Sequence, residues 1–262
     1  MAEKKGTRYY KVGTWFLEAN QHYTNKGLLD PNATRGIFVT SLYGRNGITD
    51  KITLVGYIPF IRVYQNKQVF TSCNPGQPGE AVNSFGDIDL AVEVQILKRP
   101  KWLLANSLTL AIPSGNISGR SDGSYQTGDG EFNQTLKVLA GTSFKVAKHS
   151  FYAKGSLGVN NSSNGYSDEI RLGFQTGSQV FKNKFLFLVC LNTIQSFFNG
   201  SLSAENSNGS IFANNVEVAN LGGEINYFLT KKWSTSFGYS ILLSGENIYK
   251  APALAGCIAY KL

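Results

Sequence analysis

Long hydrophobic runs are missing from this sequence. The longest candidate for a membrane helix, FLFLVCL at 185–191, falls well short of the roughly 20 apolar residues a spanning helix needs, which excludes a helical membrane protein. Cysteine is scarce: Cys73, Cys190 and Cys257 are an odd, widely spaced set without a CxxC pair, so neither a disulfide framework nor a zinc site is indicated. They read as small apolar fillers. Charge is also low, at 16% of residues against roughly 25% in an ordinary soluble domain. Only two histidines occur, which leaves little for a hydrolase that needs Ser, His and an orienting third group together. His22 ends a strand beside Tyr23, and His149 sits in a tight turn beside Ser150; both read as ordinary rim histidines, so no enzyme is expected. No Gly-rich phosphate loop opens a helix and no metal-ligand cluster is visible, so no cofactor is expected either. The N-terminal MAEKKGTRYYKVG lacks the apolar core of a secretory signal. The chain therefore reads as cytosolic or as a mature sequence with a start Met in place of its signal.

The net charge is +8, but Lys and Arg form no single run or face, which argues against nucleic acid as a partner. Several lie in short turns instead: RNGITDK, KRPK, AKH, FKNK and TKK.

What the sequence does contain is alternation. GDIDLAVEVQIL (86–97) sets Asp87, Asp89, Glu93 and Gln95 on one side of an extended chain and Ile88, Leu90, Val92, Val94 and Ile96 on the other. Similar period-two stretches recur from end to end, and helical spacing is hard to find. They predict strands near 8–22, 34–45, 51–64, 85–97, 102–113, 132–146, 149–160, 168–180, 185–198, 213–229, 233–244 and 252–262. The third strand, KITLVGYIPFIRVY, is apolar on both rows, and its Pro59 predicts a bulge or inward kink.

The connections alternate strictly. Links after even-numbered strands are tight and basic; links after odd-numbered ones are longer and rich in Gly, Asn and Ser. An up-and-down meander puts all links of one kind at one rim, the arrangement of bacterial outer-membrane barrels with their short periplasmic turns and long outer loops. Trp102, Phe181, Phe185, Tyr227, Phe228 and Trp233 flank the tight turns, where an interfacial girdle lies. The C-terminal LAGCIAYKL alternates up to its last residue, as fits a final strand closing against the first.

The expected fold is therefore all-β: one antiparallel up-and-down transmembrane β-barrel of about 12 strands spanning 1–262, with 1–7 as a flexible N-terminal segment. Its apolar rows face lipid. Its polar rows, holding Glu18, Asn20, Lys137, Lys145, Lys154, Glu169, Arg171, Glu224 and Asn226, carry too much charge for a dry core. They call for a wet or internally ion-paired lumen.

The stretch SFGDIDLAVEVQILKRPKWLLANSLTLAIPSGN, followed by a Gly-rich loop and GDGEFNQTLKVLAGTSFK, resembles the family of outer-membrane channels named for the MetA pathway of phenol degradation. Gly86, Asp87, Pro113 and Gly115 match its strand, basic turn and P-x-G ending, and the resemblance covers roughly 84–190. It implies a monomeric barrel in the bacterial outer membrane that passes small, often hydrophobic compounds.

Asp87, Asp89, Glu93 and Gln95 are thus candidates for an acidic luminal wall, faced by Lys137, Lys145, Lys154 and Arg171, with Glu169 and Glu224 on the same lining. Such a lattice either selects solutes in a constriction or plugs the lumen with ion pairs. The long loop at 65–84, with Val69, Phe70 and Pro75, is either a lid or inward constriction, or a solvent-exposed surface loop. Asn116, Asn199 and Asn208 match glycosylation sequons but read as loop formers. Two other classes remain open: an assembly subunit with a plugged lumen, and a soluble β-barrel binding an apolar ligand.

Overall fold

In the computed structural model, residues 3–31, 33–65, 79–120, 123–146, 149–202 and 210–262 are described. The strands in chain order are β1 (Arg8–Ala19), β2 (Gln21–Tyr23), β3 (Leu29–Asp30), β4 (Arg35–Gly47), β5 (Ile52–Gln65), β6 (Ala81–Phe85), β7 (Ile88–Lys98), β8 (Trp102–Ile112), β9 (Asn133–Val146), β10 (His149–Asn161), β11 (Glu169–Val180), β12 (Phe185–Ser196), β13 (Glu217–Phe228), β14 (Trp233–Glu246), β15 (Ile248–Lys250) and β16 (Ala253–Lys261). Twelve of them close an antiparallel ring in the order β1, β4, β5, β7, β8, β9, β10, β11, β12, β13, β14, β16. Closure is by β16 against β1, from Tyr9 opposite Lys261 to Leu17 opposite Ala253. No main-ring edge is left unpaired, which answers the aggregation hazard of an open sheet. The short β2, β3 and β15 form a separate three-stranded sheet at the long-loop rim.

The polarity of the two faces decides where apolar side chains point. Leu90, Val92, Val94 and Ile96 on β7 are exposed outward, while Glu93 on the other row is buried. The same holds on β9, where Leu136 and Val138 face out and Thr135 and Leu139 face in. Hydrocarbon thus covers the outside of the barrel and polar groups line much of the inside, the reverse of a soluble barrel. Trp102 and Trp233 are outward and exposed beside their turns; Trp233 packs on Tyr260 at 4.6 Å and Phe185 on Tyr227 at 4.9 Å. An arginine in the middle of the outer row should meet lipid: Val92→Arg is expected to cost about 2–4 kcal/mol. Urea unfolding from vesicles would read this loss.

β5 corrects one expectation. Pro59 does not bulge its strand against β4, where it pairs in register with Ser41. Its effect falls on the other neighbour. β7 pairs with β5 only over Ile52–Tyr57, and β6 takes over from Phe60 to Tyr64, so Pro59 sits where one gives way to the other. A proline has no N–H to offer there; its carbonyl alone accepts Gly86 N–H at 2.9 Å. The ladder on this side of β5 is therefore interrupted at Gly86–Asp87. Gly86 has no room for a side chain, hemmed in by Ile61, Pro59 and the Thr127 carbonyl.

The apolar inner row of β5 also finds its reason. Ile61 and Val63 join Leu17, Ile37 and Val39 in a buried cluster inside the long-loop half of the barrel, capped by Tyr125, Tyr249 and Ala251 from the loops.

Candidate functional site: the lumen and its mouth

At the long-loop mouth, the segment 113–132 folds back onto the β6–β7 break. The Asp87 carboxylate accepts the Gly115 and Asp129 N–H groups at 2.9 and 3.0 Å, one on each oxygen. Ser114 Oγ donates to the Gly86 carbonyl at 2.8 Å and Thr127 Oγ1 to the Phe85 carbonyl at 2.8 Å. A side chain at Gly128 would collide with the Asp87 carboxylate. This clasp aims Tyr125 inward, where its ring is fully buried between the guanidinium groups of Arg35 and Arg120, 4.5 and 4.9 Å from the ring centre. Arg35 Nη1 also donates to the Tyr125 hydroxyl at 3.3 Å.

Beside the clasp lies an acidic group. Asp129 accepts the Glu131 N–H at 2.8 Å and the Asn133 amide at 3.2 Å. Glu131 is buried, and among the described residues its Oε1 has no hydrogen-bond partner. Burial, and then the neighbouring Asp129, push the Glu131 carboxyl up to about 8; burial raises Asp129 as well, with Asp87 adding to it. The folded loop thus keeps protons that the unfolded chain releases near the ordinary carboxyl value of 4.5. Where the native state binds more protons, stability falls as pH rises. Anchoring of 113–132 is therefore complete below pH 4.5 as far as Glu131 is concerned, and this contribution is lost as pH climbs through about 8. Proteolytic nicking within 113–132 should increase over that window, and Glu131→Gln should flatten the increase.

Deeper in the barrel the charged side chains meet. Arg45 grips Glu93 with both guanidinium nitrogens, at 3.1 and 2.8 Å, and Arg45 Nη1 donates to the Tyr43 hydroxyl at 3.2 Å. Glu3 reaches the same guanidinium at 3.6 Å from the short-turn side, its N–H donating to Thr53 Oγ1 at 2.7 Å. Arg171 is bound by Glu169, through Nε at 2.8 Å and Nη2 at 2.6 Å. Lys137 faces Arg171, Asp89, Lys154 and Glu93, its stem lying across Gly158, which has no room for a side chain of its own. Among the described residues Lys137, Lys154 and Asp89 form no ion pair and no side-chain hydrogen bond, so their charges are not tied into the lattice around them.

The structure brings together most of the residues the alternation singled out, but pairs them differently. Asp89, Glu93, Gln95, Lys137, Lys154, Glu169, Arg171 and Glu224 all lie on the inner row. Glu93 does not pair with the lysines opposite; it is gripped by Arg45, which lies on β4 and not in a turn, because the strand continues through the RNG stretch to Gly47. Asp87 is not part of the luminal row, since its carboxylate is spent on the loop clasp. Lys145 is on the inner row but exposed at the short-turn rim. Glu18 and Asn20 are not luminal: both are exposed, and Glu18 accepts the Tyr64 hydroxyl at 2.9 Å on the outer side of the rim. Cys190 and Cys257 are not core fillers; both line the lumen, half-buried and free. Cys73, the residues Val69, Phe70 and Pro75 of the longest loop, and Asn208 lie outside the described residues.

A closed barrel with a lipid-facing hydrocarbon exterior and a charged interior defines the class: this is the fold of an outer-membrane β-barrel. An outer-membrane channel from Pseudomonas putida F1 superposes with a TM-score of 0.64 at 15% identity, over 100% of this chain and 97% of that one. The β domain of the Bordetella autotransporter BrkA gives 0.57 at 13% identity, over 99% and 100%, and the NanC porin 0.51 at 10% identity, over 97% and 100%. No family model and no curated protein sequence matches the chain.

Proposed function

We propose that this chain is a passive channel for small solutes in the bacterial outer membrane, acting as a monomer. The observation that carries the reading is luminal charge that no ion pair ties down: among the described residues Lys137, Lys154 and Asp89 lie on the inner row without an ion pair, on a wall whose reverse side is hydrocarbon. A barrel serving only as a lipid-embedded scaffold gains nothing from desolvating such groups, whereas a water-filled path keeps them solvated. The resemblance to the MetA-pathway channels supports the same reading and adds small hydrophobic compounds to the candidate solutes. NanC is a porin and the Pseudomonas putida protein a channel, which makes conduction a natural use of this fold.

A second reading, a plugged barrel serving as an assembly subunit, is favoured by the buried cluster around Tyr125 at the mouth. Planar bilayers separate the two. Discrete current steps from the purified chain, with ion selectivity altered by Lys137→Gln/Lys154→Gln, support the channel. A chain that inserts and never conducts sinks it.

A further inference from the structure

In the short-turn half of the lumen, the inner rows of β13, β14, β16 and β1 carry almost no side-chain bulk. Gly222, Ser236, Gly238, Ala255, Cys257 and Gly13 follow one another across the wall, from Gly222 beside Ser240 to Cys257 beside Gly13. The wall recedes, leaving a luminal cavity of 230 Å3. The lining continues on the neighbouring strands with aromatic side chains: Trp15, Tyr43 and Tyr57 from β1, β4 and β5. Two charged groups complete the lining, Lys11 and Glu224. Neither makes an ion pair or a side-chain hydrogen bond among the described residues.

These groups discriminate between solutes. A hydrocarbon would fill the aromatic side but strip water from Lys11 and Glu224 without replacing it, which costs free energy at each. An aromatic acid would satisfy Lys11 and set its carboxylate against Glu224. A polyol ring satisfies both, because its hydroxyl oxygens accept from the ammonium and its hydroxyl hydrogens donate to the carboxylate. The C–H faces of the same ring lie against the aromatic side chains, which offer an apolar body with polar tips. The volume lies below the roughly 300–1,000 Å3 of sites for drug-sized ligands, which suits a single ring.

We propose that this recess is a luminal subsite for a neutral, monosaccharide-sized polyol. The proposal rests on the channel reading and names a solute class for it. It assigns the aromatic side to stacking and Lys11 with Glu224 to the hydroxyl groups, so it is a place where a permeating sugar pauses.

The chain supplies its own probe. Trp15 is luminal, whereas Trp102 and Trp233 face outward, so a Trp102→Phe/Trp233→Phe variant reports from the recess alone. D-glucose should change Trp15 emission saturably, and added glucose should reduce the ion current of the wild-type chain in bilayers over the same concentration range. Glu224→Gln and Lys11→Met, each checked for heat-modifiable gel mobility as a sign of folding, should weaken both effects by about tenfold or more, equivalent to about 1.4 kcal/mol. Benzoate and toluene are the competing probes. A conducting wild-type chain whose current and Trp15 emission ignore glucose, or respond instead to benzoate or toluene, overturns the subsite and leaves the channel intact. Saturable glucose binding in a chain that never conducts leaves the subsite standing and removes the channel.

Discussion

Arg45→Met is expected to lower the unfolding free energy of the barrel by about 3–5 kcal/mol, the range for breaking a buried pair by removal of one partner. The side chains of Arg45 and Glu93 are only 14% and 9% exposed, and both carboxylate oxygens are taken by the one guanidinium. Truncating Arg45 therefore leaves the Glu93 carboxyl without its guanidinium, buried and beside Thr53 of the neighbouring strand, where it must stay desolvated or take up a proton. It also frees Glu3 from the same guanidinium, loosening the segment that enters the short-turn mouth. The double variant Arg45→Met/Glu93→Met removes the buried carboxylate together with its guanidinium and should recover most of the loss, since apolar replacement of a whole buried pair is often neutral or stabilising. Urea midpoints of the single and double variants in detergent micelles would check this. If the single variant falls by less than about 1 kcal/mol, the size of a surface pair, luminal water screens the bridge and it does not brace the barrel.

The barrel was legible because its rule is strict. With a side-chain period of two, a one-residue slip would turn every row inside out, so Ile88 to Ile96 and Asp89 to Gln95 could be sorted by polarity alone. The alternation of tight basic links with long Gly- and Asn-rich ones fixed the up-and-down order, and the structure closes β16 on β1 as that order requires. Ends were less legible. The predicted strand at 8–22 divides at Asn20 into β1 and β2, and the predicted strand at 213–229 begins at Glu217. Where loops pack on the barrel wall, local periodicity no longer says where the ladder stops.

The site was harder because pairing across a lumen depends on side-chain reach and not on sequence spacing. Arg45 belongs to a stretch that reads as a tight turn, but β4 runs on to Gly47, which keeps Arg45 on the inner row of Ile37, Val39 and Tyr43 and brings it to Glu93, 48 positions away. Asp87 belongs to the alternating pattern of its strand, yet Pro59 on the neighbouring strand and Gly86 beside it break the ladder there and hand its carboxylate to the 113–132 loop. The double apolar row of β5 makes sense only if something apolar fills the barrel beside it, and that filler is Tyr125. The small-residue inner rows GYS, GGE and ALAGCIA likewise carried the cavity in plain view, since a row without side chains leaves space.

Tyr125→Ala is expected to act on stability and conduction together. The ring is fully buried, wedged between Arg35 and Arg120 and packed on Leu17, Ile37, Val39, Ile61 and Val63. Removing a large buried aromatic typically costs about 3–5 kcal/mol through lost transfer free energy and the cavity left behind. Here the loss should concentrate in the loop and spare the barrel, because the ring of strands keeps its hydrogen bonds whether or not the loop is docked. The clasp at Asp87 would remain, but the segment beyond it would lose the anchor that holds it against the inner wall. The long-loop mouth widens by the bulk of one tyrosine side chain, so single-channel conductance should rise, while heat-modifiable mobility, which reports the strand ring, stays near the wild-type temperature. Tyr125→Phe separates the contributions: it keeps the ring and both guanidinium stacks and loses only the hydroxyl that accepts from Arg35, so its conductance should match the wild type. Unchanged conductance in Tyr125→Ala would mean that the solute path runs elsewhere, along the polar wall of β8 to β12. A loss of the whole barrel's stability instead would mean that the loop core and the strand ring unfold as one unit.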